Sequence, residues 1–443
     1  MLLLLAISVI IGLLLLISYF KMNPFVGLIL ASLVLGLASG MGTTRTIASI
    51  TAGMGTTLGY ITIVLALGMM IGKLMAECGA ADVIARRIIE VVGESRVHWA
   101  MMFIAFIIGI PVFLQVGVAL LIPILFTIAL RTGISLITLA VPLIATLSTI
   151  HHFVPPHPAV MALIAIFKAD LGKTLLLGLL ISLPCAIVGG PLYGRWIGSR
   201  MMKTPPADMV SKFCGNRREF PNPPGFAVSV FTVLLPVGLM LLAKVADVGL
   251  QPGTPVYNLF KFLGEGSISL MTALLVALWT FGFSRSFSRE QLQKLTSECM
   301  GPVAMILLVI GGGGAFGKIL VDSGIAGEIA RLAAVWHIHP LMLGWLLSAL
   351  VRISVGSATV AMTTSAGLVA HLVGPGGISG EMMILAIGSG SCALSHINDS
   401  GFWLVKEFFG LTVQETLRTW SVAITVVAFT GIPFLFLLHA LGF

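Results

Sequence analysis

The sequence predicts an all-α polytopic membrane protein made of two inverted repeats, each interrupted by polar breaks. Hydrophobic residues make up 58% of its 443 positions and charged residues only 9%, with a mean hydropathy of +1.08. A soluble domain carries about 25% charged residues, so most of this chain is suited to lipid rather than water. Roughly ten to fourteen apolar runs approach the ~20 residues that span a bilayer. We therefore expect a multi-pass protein surrounded by membrane lipid.

Sequence similarity between two stretches of the chain, which we call the echo, identifies the two repeats. Residues 68–86 match residues 313–331 at a constant offset of 245, and basic residues within the match carry the most weight because Lys and Arg together number only 25. Two related halves, each with a polar break inside apolar sequence, are typical of membrane transporters. The informative pairs at this offset are Lys73 with Lys318, Arg86 with Arg331, and His151 with His396.

Loop charge orients the two repeats. The net charge of +8 resides mainly in loops, and short loops rich in Lys and Arg stay on the cytoplasmic side. The loop after residues 57–76 contains Arg86, Arg87 and Arg96, whereas the loop after residues 303–321 contains Arg331 alone. The first segment should run toward the cytoplasm and the second away from it. The repeats are then inverted, both termini are periplasmic, and the basic charge predicts no nucleic-acid partner.

Composition divides the chain into five parts. Residues 199–225 form a polar, proline-containing stretch that is typical of a linker. The first helix lacks a basic start and a small-residue cleavage site, so we expect a retained span rather than a signal peptide. The predicted parts are two N-terminal transmembrane helices (1–54), the first repeat (55–198), the cytoplasmic linker (199–225), connecting transmembrane helices (226–299) and the second repeat (300–443).

The first polar break occupies residues 151–158, with the sequence His-His-Phe-Val-Pro-Pro-His-Pro. Prolines remove backbone hydrogen bonds from a helix, and irregular backbone at membrane depth must be buried or line a water-filled cavity. The three histidines, His151, His152 and His157, are therefore candidates for polar ligand contact, proton handling or metal binding. A metal is disfavoured because no Cys or carboxylate lies close by, and the five scattered cysteines are expected to pack. The alternative is a short external loop with incidental histidines.

The second polar break lies at residues 395–401 between two apolar runs. A charge at the bilayer centre costs at least ~2.5–3.5 kcal/mol on insertion scales, so Asp399 is a candidate proton carrier, cation ligand or partner for a substrate hydroxyl. The alternative is that Asp399 caps the following helix near the membrane interface. Ser395 and Asn398 can donate or accept hydrogen bonds in either case, and His396 corresponds to His151 of the first break.

A third candidate is the small, hydroxylated stretch 352–359. Ser357, Thr359 and the amides near Gly356 can bind an anion at a helix N-terminus, although small residues also serve helix packing. Arg352 is predicted either to pair with a substrate carboxylate or to extend to the interface. The corresponding stretch of the first half contains Gln115. Lys73 and Lys318, at matching helix ends, are expected to be interfacial lysines.

At these breaks the chain resembles the gluconate permease family of bacterial proton symporters, one branch of which carries D-serine. The resemblance implies an inner-membrane secondary transporter of a small carboxylate such as gluconate, driven by protons, with no cofactor. It also implies re-entrant hairpins and a homodimeric scaffold, formed by the helices outside the repeats, similar to the elevator architecture of ion transporters. The motifs that carry the resemblance are residues 55–59, 155–158, 311–316, 356–361 and 395–403.

One residue departs from the family pattern, because Gln115 occupies a position that is commonly Glu. A neutral amide cannot carry a proton, so we place proton coupling on Asp399 or His396. The expected function is proton-coupled uptake of gluconate or a related sugar acid, with a D-serine or other amino-acid permease as the alternative. An intramembrane metalloenzyme and a passive channel are further alternatives. The predicted substrate-binding residues are Gln115, His151, His152, Gly356, Ser357, Thr359, Ser395, His396 and Asn398.

Overall fold

Helices account for the regular structure of the described chain. The computed structural model describes residues 2–214, 220–299, 301–325, 328, 338–374, 377–397 and 399–443. Apolar sequence in lipid must satisfy its backbone hydrogen bonds internally, which favours helices. The helices up to the linker are α1 (Leu2–Ser18), α2 (Pro24–Ala38), α3 (Thr43–Glu77), α4 (Ala80–Val92), α5 (Val97–Gly109), α6 (Leu114–Thr132), α7 (Leu136–Phe153), α8 (Pro158–Phe167), α9 (Leu171–Ile187), α10 (Tyr193–Gly198) and α11 (Ala207–Cys214).

The second part of the chain continues the same pattern. Short π-helical segments at Val188–Leu192, Leu278–Gly282 and Leu417–Ser421 join or extend neighbouring helices. The helices after the linker are α12 (Phe226–Gly249), α13 (Pro255–Leu263), α14 (Gly266–Ala277), α15 (Arg289–Glu298), α16 (Gly301–Asp322), α17 (Pro340–Val355), α18 (Ala358–Val369), α19 (Gly380–Ser391), α20 (Ser400–Phe409), α21 (Val413–Thr416) and α22 (Val422–Ala440).

Long and short apolar helices both occur. Within the described residues, seven helices are long and apolar enough to cross a membrane, and five shorter apolar helices accompany them. The short helices arise because breaks divide apolar runs, at Pro111 between α5 and α6 and at Gly356 between α17 and α18. The prediction of an all-α protein with many membrane-spanning segments is confirmed for the described part of the chain.

The two halves repeat the same order of helices. The starts of α5, α6, α7 and α8 correspond to those of α17, α18, α19 and α20 at offsets close to the 245 residues seen in sequence. Ion pairs repeat as well, since Lys73 binds Glu77 at 2.8 Å and Lys318 binds Asp322 at 2.7 Å. Each pair joins residues one turn apart near the end of its helix, α3 or α16.

Helices α3 and α16 pack closely in opposite directions. Ser49, near the start of α3, donates a hydrogen bond to Asp322 at the end of α16 at 2.6 Å. Further along α3, Gly53 faces Gly314, and a Cβ at Gly53 would lie 2.5 Å from the Gly314 carbonyl oxygen. Leu58 then faces Gly311, earlier in α16. Glycines let the two backbones approach closely, as is common between membrane helices.

Candidate functional site

Four helix breaks meet at one cavity of about 360 Å³. Its volume is in the range of small-molecule pockets. Residues from the α5–α6, α7–α8, α17–α18 and α19–α20 breaks line it, together with the turn between α1 and α2 and residue Trp420. Because these breaks are far apart in sequence, only the folded chain brings their polar groups together.

The structure brings most of the predicted site residues to this cavity. Ser395 lies behind Asp399 and is buried. His396 is not among the described lining residues; its Nε2 instead lies 2.9 Å from the Ile353 carbonyl oxygen. Asn398 lies outside the described residues. The predicted residues that line the cavity are Gln115, His151, His152, Gly356, Ser357, Thr359 and Asp399.

Four helix N-termini line the cavity, and one of them is that of α2, which begins at Pro24. Helix α6 begins at Leu114, α18 follows Ser357, and α20 follows Asp399. The first amides of a helix have no partner within the helix, so N-termini attract anions. Ser357 Oγ accepts a hydrogen bond from the third amide of α18, at Val360, over 3.4 Å. Gln115, in the first turn of α6, is exposed to the cavity.

A buried ion pair lies in the cavity wall. Arg352 Nη2 is 2.5 Å from Asp399 Oδ2, and the two side chains are only 3% and 10% exposed. Asp399 also accepts hydrogen bonds from the Ser395 hydroxyl and, at 2.9 Å, from the Gly401 amide. Arg352 donates from Nη1 to the Gly356 carbonyl, while its Nε has no hydrogen-bond partner within the described residues. Losing one member of a buried pair typically costs about 3–5 kcal/mol.

This pair bears on the alternatives that the sequence left open for both residues. Arg352 does not extend to an interface, because its guanidinium is buried against Asp399. Asp399 does cap α20, as one alternative predicted, since its Oδ1 accepts the Gly401 amide. It caps that helix from a buried position in the cavity wall, where it simultaneously neutralises an arginine.

The histidines of the first break have defined partners. Proline ends α7 and starts α8, leaving His151 and His152 in the last turn of α7 and His157 just before α8. His151 Nδ1 lies 3.2 Å from His157 Nδ1, and His157 Nε2 lies 2.8 Å from the Gly109 carbonyl oxygen. His152 Nδ1 lies 2.6 Å from the Ser148 carbonyl oxygen, one turn earlier in α7.

Sequence reasoning missed several cavity residues. Lys21, in the turn between α1 and α2, lines the cavity although it resembles an ordinary loop lysine. Ser148 and Trp420 also line it, and Trp420 donates from Nε1 to Ser395 Oγ at 2.8 Å. The sequence contains one indication of this role, because Lys21 is a single cation between two apolar runs. Within the described residues, no three His, Cys, Asp or Glu side chains are grouped so that they could hold a metal ion.

Comparison with known proteins identifies close relatives. The model of the GntP family permeases matches residues 1–441. A gluconate permease of Zymomonas mobilis is 43% identical, covering 100% of this chain and 98% of the relative, and one of Pseudomonas aeruginosa is 45% identical, covering 98% and 96%. The D-serine transporter DsdX of Escherichia coli is 35% identical, covering 95% and 94%. The resemblance stated from the motifs is confirmed.

Solved structures show the same fold at low sequence identity. The YdaH transporter of Alcanivorax borkumensis has a TM-score of 0.64 at 14% identity, covering 94% of this chain and 98% of its own. MtrF of Neisseria gonorrhoeae, from a class of antimetabolite efflux pumps, also has a TM-score of 0.64 at 14% identity, covering 97% and 96%. The helical arrangement is therefore one that transporters use.

Proposed function

The chain belongs to the GntP family of permeases, and we propose that it imports gluconate or a related sugar acid across the bacterial inner membrane together with protons. Because the family consists of permeases, the chain is a transporter rather than an enzyme. The observation that carries the proposal is the Arg352–Asp399 pair in the wall of a cavity that four helix N-termini line. In this arrangement Arg352 and the helix N-termini can bind an anion, and Asp399 can carry a proton beside it.

The carboxylate of the substrate is proposed to bind between Arg352 and the N-terminus of α18. Arg352 lines the cavity, and its buried Nε has no hydrogen-bond partner within the described residues. A guanidinium that is released from Asp399 can bind a carboxylate through two parallel hydrogen bonds. Thr359 and the first amides of α18 lie on the same wall. The hydroxyls of a sugar acid would then face Gln115, His151 and the other polar residues that line the cavity. Asn398 lies outside the described residues and stays a predicted ligand.

Proton coupling is proposed to act through Asp399. In the ion-paired state Asp399 engages the guanidinium that the substrate carboxylate needs. Protonation of Asp399 removes its charge and leaves Arg352 free to bind the substrate, so that a proton and an anion load together. We place coupling here rather than at His396, because His396 is not among the described residues that line the cavity.

The inverted-repeat and elevator architecture belongs to the same proposal. The antiparallel contact of α3 with α16 supports inversion, because these helices carry the echo of residues 68–86. We propose that both termini are periplasmic, that two copies form a homodimer, and that the helices bearing the four breaks move relative to α1, α2 and the helices of 226–299. Substrate in the cavity would then alternate between the two sides of the membrane.

Uptake into proteoliposomes tests the function directly. Purified protein is reconstituted, and labelled gluconate, L-idonate and D-serine are offered with and without an acidic exterior. We expect a sugar acid to accumulate above its external concentration only with the gradient, and a protonophore to abolish that accumulation. Accumulation of D-serine but of neither sugar acid would establish the amino-acid alternative. If no compound accumulates under the gradient, proton symport is wrong.

A further inference from the structure

The partners of His157 determine which nitrogen of His151 carries a proton. We propose that His157 is a positioning residue that holds His151 in the Nδ1–H tautomer, so that the unprotonated Nε2 faces the cavity and accepts a hydrogen bond from a substrate hydroxyl. The inference rests on the proposed function of the cavity as a sugar-acid site. It adds a residue that does not itself line the cavity among the described positions.

The carbonyl group of Gly109 determines the tautomer of His157. A carbonyl oxygen can only accept, so the contact of 2.8 Å between His157 Nε2 and the Gly109 carbonyl requires a proton on Nε2. His157 is 1% exposed, and no described hydrogen bond or ion pair places a carboxylate against it. A buried cation without a counter-charge is costly. The neutral ring is therefore favoured, and its Nδ1 is an acceptor.

The tautomer of His157 in turn determines the tautomer of His151. His157 Nδ1 lies 3.2 Å from His151 Nδ1, and two bare nitrogens would not form a hydrogen bond. His151 must donate from Nδ1, so in its neutral form Nε2 is the acceptor. A hydrogen bond at one ring nitrogen of a histidine commonly determines whether the other ring nitrogen carries a proton. His151 lines the cavity, so this acceptor is available to a ligand.

His151 differs from His152 because its hydrogen-bond partner lies outside its own helix. His152 is oriented by its own helix, through the Ser148 carbonyl. The His157 ring has no such local role, because it makes no capping hydrogen bond to α8. Phe113 packs beside both rings, with centroids 6.1 Å from His151 and 6.0 Å from His157. The imidazole of His157 is thus used to join α5 to His151.

A double-mutant cycle tests the positioning role. His157→Leu should raise the KM for gluconate uptake about 3- to 10-fold with little change in maximal rate, the effect of weakening one hydrogen bond. In a His151→Gln background the same substitution should change KM less than about 2-fold. His157→Gln, whose amide can donate to Gly109 and accept from His151, should restore near-normal KM. Equal effects of His157→Leu in both backgrounds would show a merely structural role and overturn the proposal.

A spectroscopic measurement separates this inference from the transport function. Two-bond ¹⁵N–¹H correlation spectra of histidine-labelled protein in detergent report the tautomer of each ring without any substrate, and His151→Gln assigns the signal. We expect the Nδ1–H form for His151 and its loss or mixing in His157→Leu. An Nε2–H form in the unmodified protein would overturn the inference even if gluconate is transported. The Nδ1–H form with no uptake of sugar acids would instead count against the proposed function.

Discussion

Asp399 combines two tasks that are usually separate. It caps α20 through the Gly401 amide, and it neutralises the buried guanidinium of Arg352. Capping requires an acceptor, which a neutral amide side chain also supplies, whereas neutralisation requires the negative charge. Substituting the carboxylate by an amide of the same size therefore removes one task and keeps the other.

Asp399→Asn should abolish gradient-driven accumulation of the sugar acid while retaining exchange between internal and external substrate. The amide cannot carry a proton, but Arg352 remains to bind the carboxylate. Counterflow and pH-driven uptake in the same proteoliposomes measure the two activities. Asp322→Asn is the matched control, since it neutralises another ion-paired carboxylate, the partner of Lys318, which does not line the cavity.

Normal pH-driven accumulation by Asp399→Asn would remove this residue from the coupling mechanism. An unpaired buried arginine also threatens folding, at a cost of about 3–5 kcal/mol. The double variant Arg352→Gln with Asp399→Asn leaves no unpaired charge. It should therefore fold, as judged by size-exclusion chromatography, and neither bind nor transport the acid.

The end of α17 and the start of α18 position the guanidinium of Arg352. Gly356 ends α17 in a left-handed conformation, with φ of 80°, and its carbonyl accepts from Arg352 Nη1. A side chain in that conformation costs about 1–2 kcal/mol. Gly133 ends α6 in the same way, with φ of 67°, and lies away from the cavity.

Gly356→Ala should lower thermal stability and raise KM about 3- to 10-fold, because a shifted carbonyl weakens its hydrogen bond with the arginine. Gly133→Ala should cause a similar loss of stability without a change in KM. Thermal unfolding in detergent and uptake kinetics measure the two effects. Equal KM values for both variants would show that the turn at Gly356 does not position Arg352.

The contact between α3 and α16 is predicted to be intolerant of a single added carbon. A Cβ at Gly53 would lie 2.5 Å from the Gly314 carbonyl oxygen, whereas a Cβ at Gly55 on the same helix meets nothing within 4 Å. Gly53→Ala should destabilise the protein by about 1–3 kcal/mol. Gly55→Ala should be neutral or stabilising by up to about 1 kcal/mol. Unfolding midpoints of both variants in one detergent decide the matter, and equal midpoints would contradict close packing at Gly53.

The sequence predicts where the helices break, but it does not predict which breaks come together in the folded chain. Pro155, Pro156 and Pro158 act locally, so the end of α7 could be placed in advance. The pairing of Arg352 with Asp399 joins residues 47 positions apart, and no spacing rule indicates which breaks converge. The contact that fixes His151 likewise depends on the approach of α5 to α8.

The repeat also misleads at one position. The offset relates His151 to His396, yet the break between α7 and α8 spans residues 154–157, whereas that between α19 and α20 spans 392–399. The longer second break carries His396 to the Ile353 carbonyl instead of the cavity. Equivalent sequence positions therefore need not occupy equivalent places once the lengths of the breaks differ.

The proposed inversion of the halves predicts a definite pattern of accessibility. Arg87 lies in α4, the helix after α3, and Ser323 directly follows α16, which packs antiparallel to α3. Single cysteines replace Arg87, Ser323 or Phe443 in a cysteine-free background, and intact cells are treated with a membrane-impermeant maleimide. We expect labelling at 323 and 443 but at 87 only after the membrane is permeabilised, because short basic segments between membrane spans stay on the cytoplasmic side. Labelling of 87 and 323 from the same side would contradict the inverted arrangement, and protection of 443 would place the C-terminus in the cytoplasm.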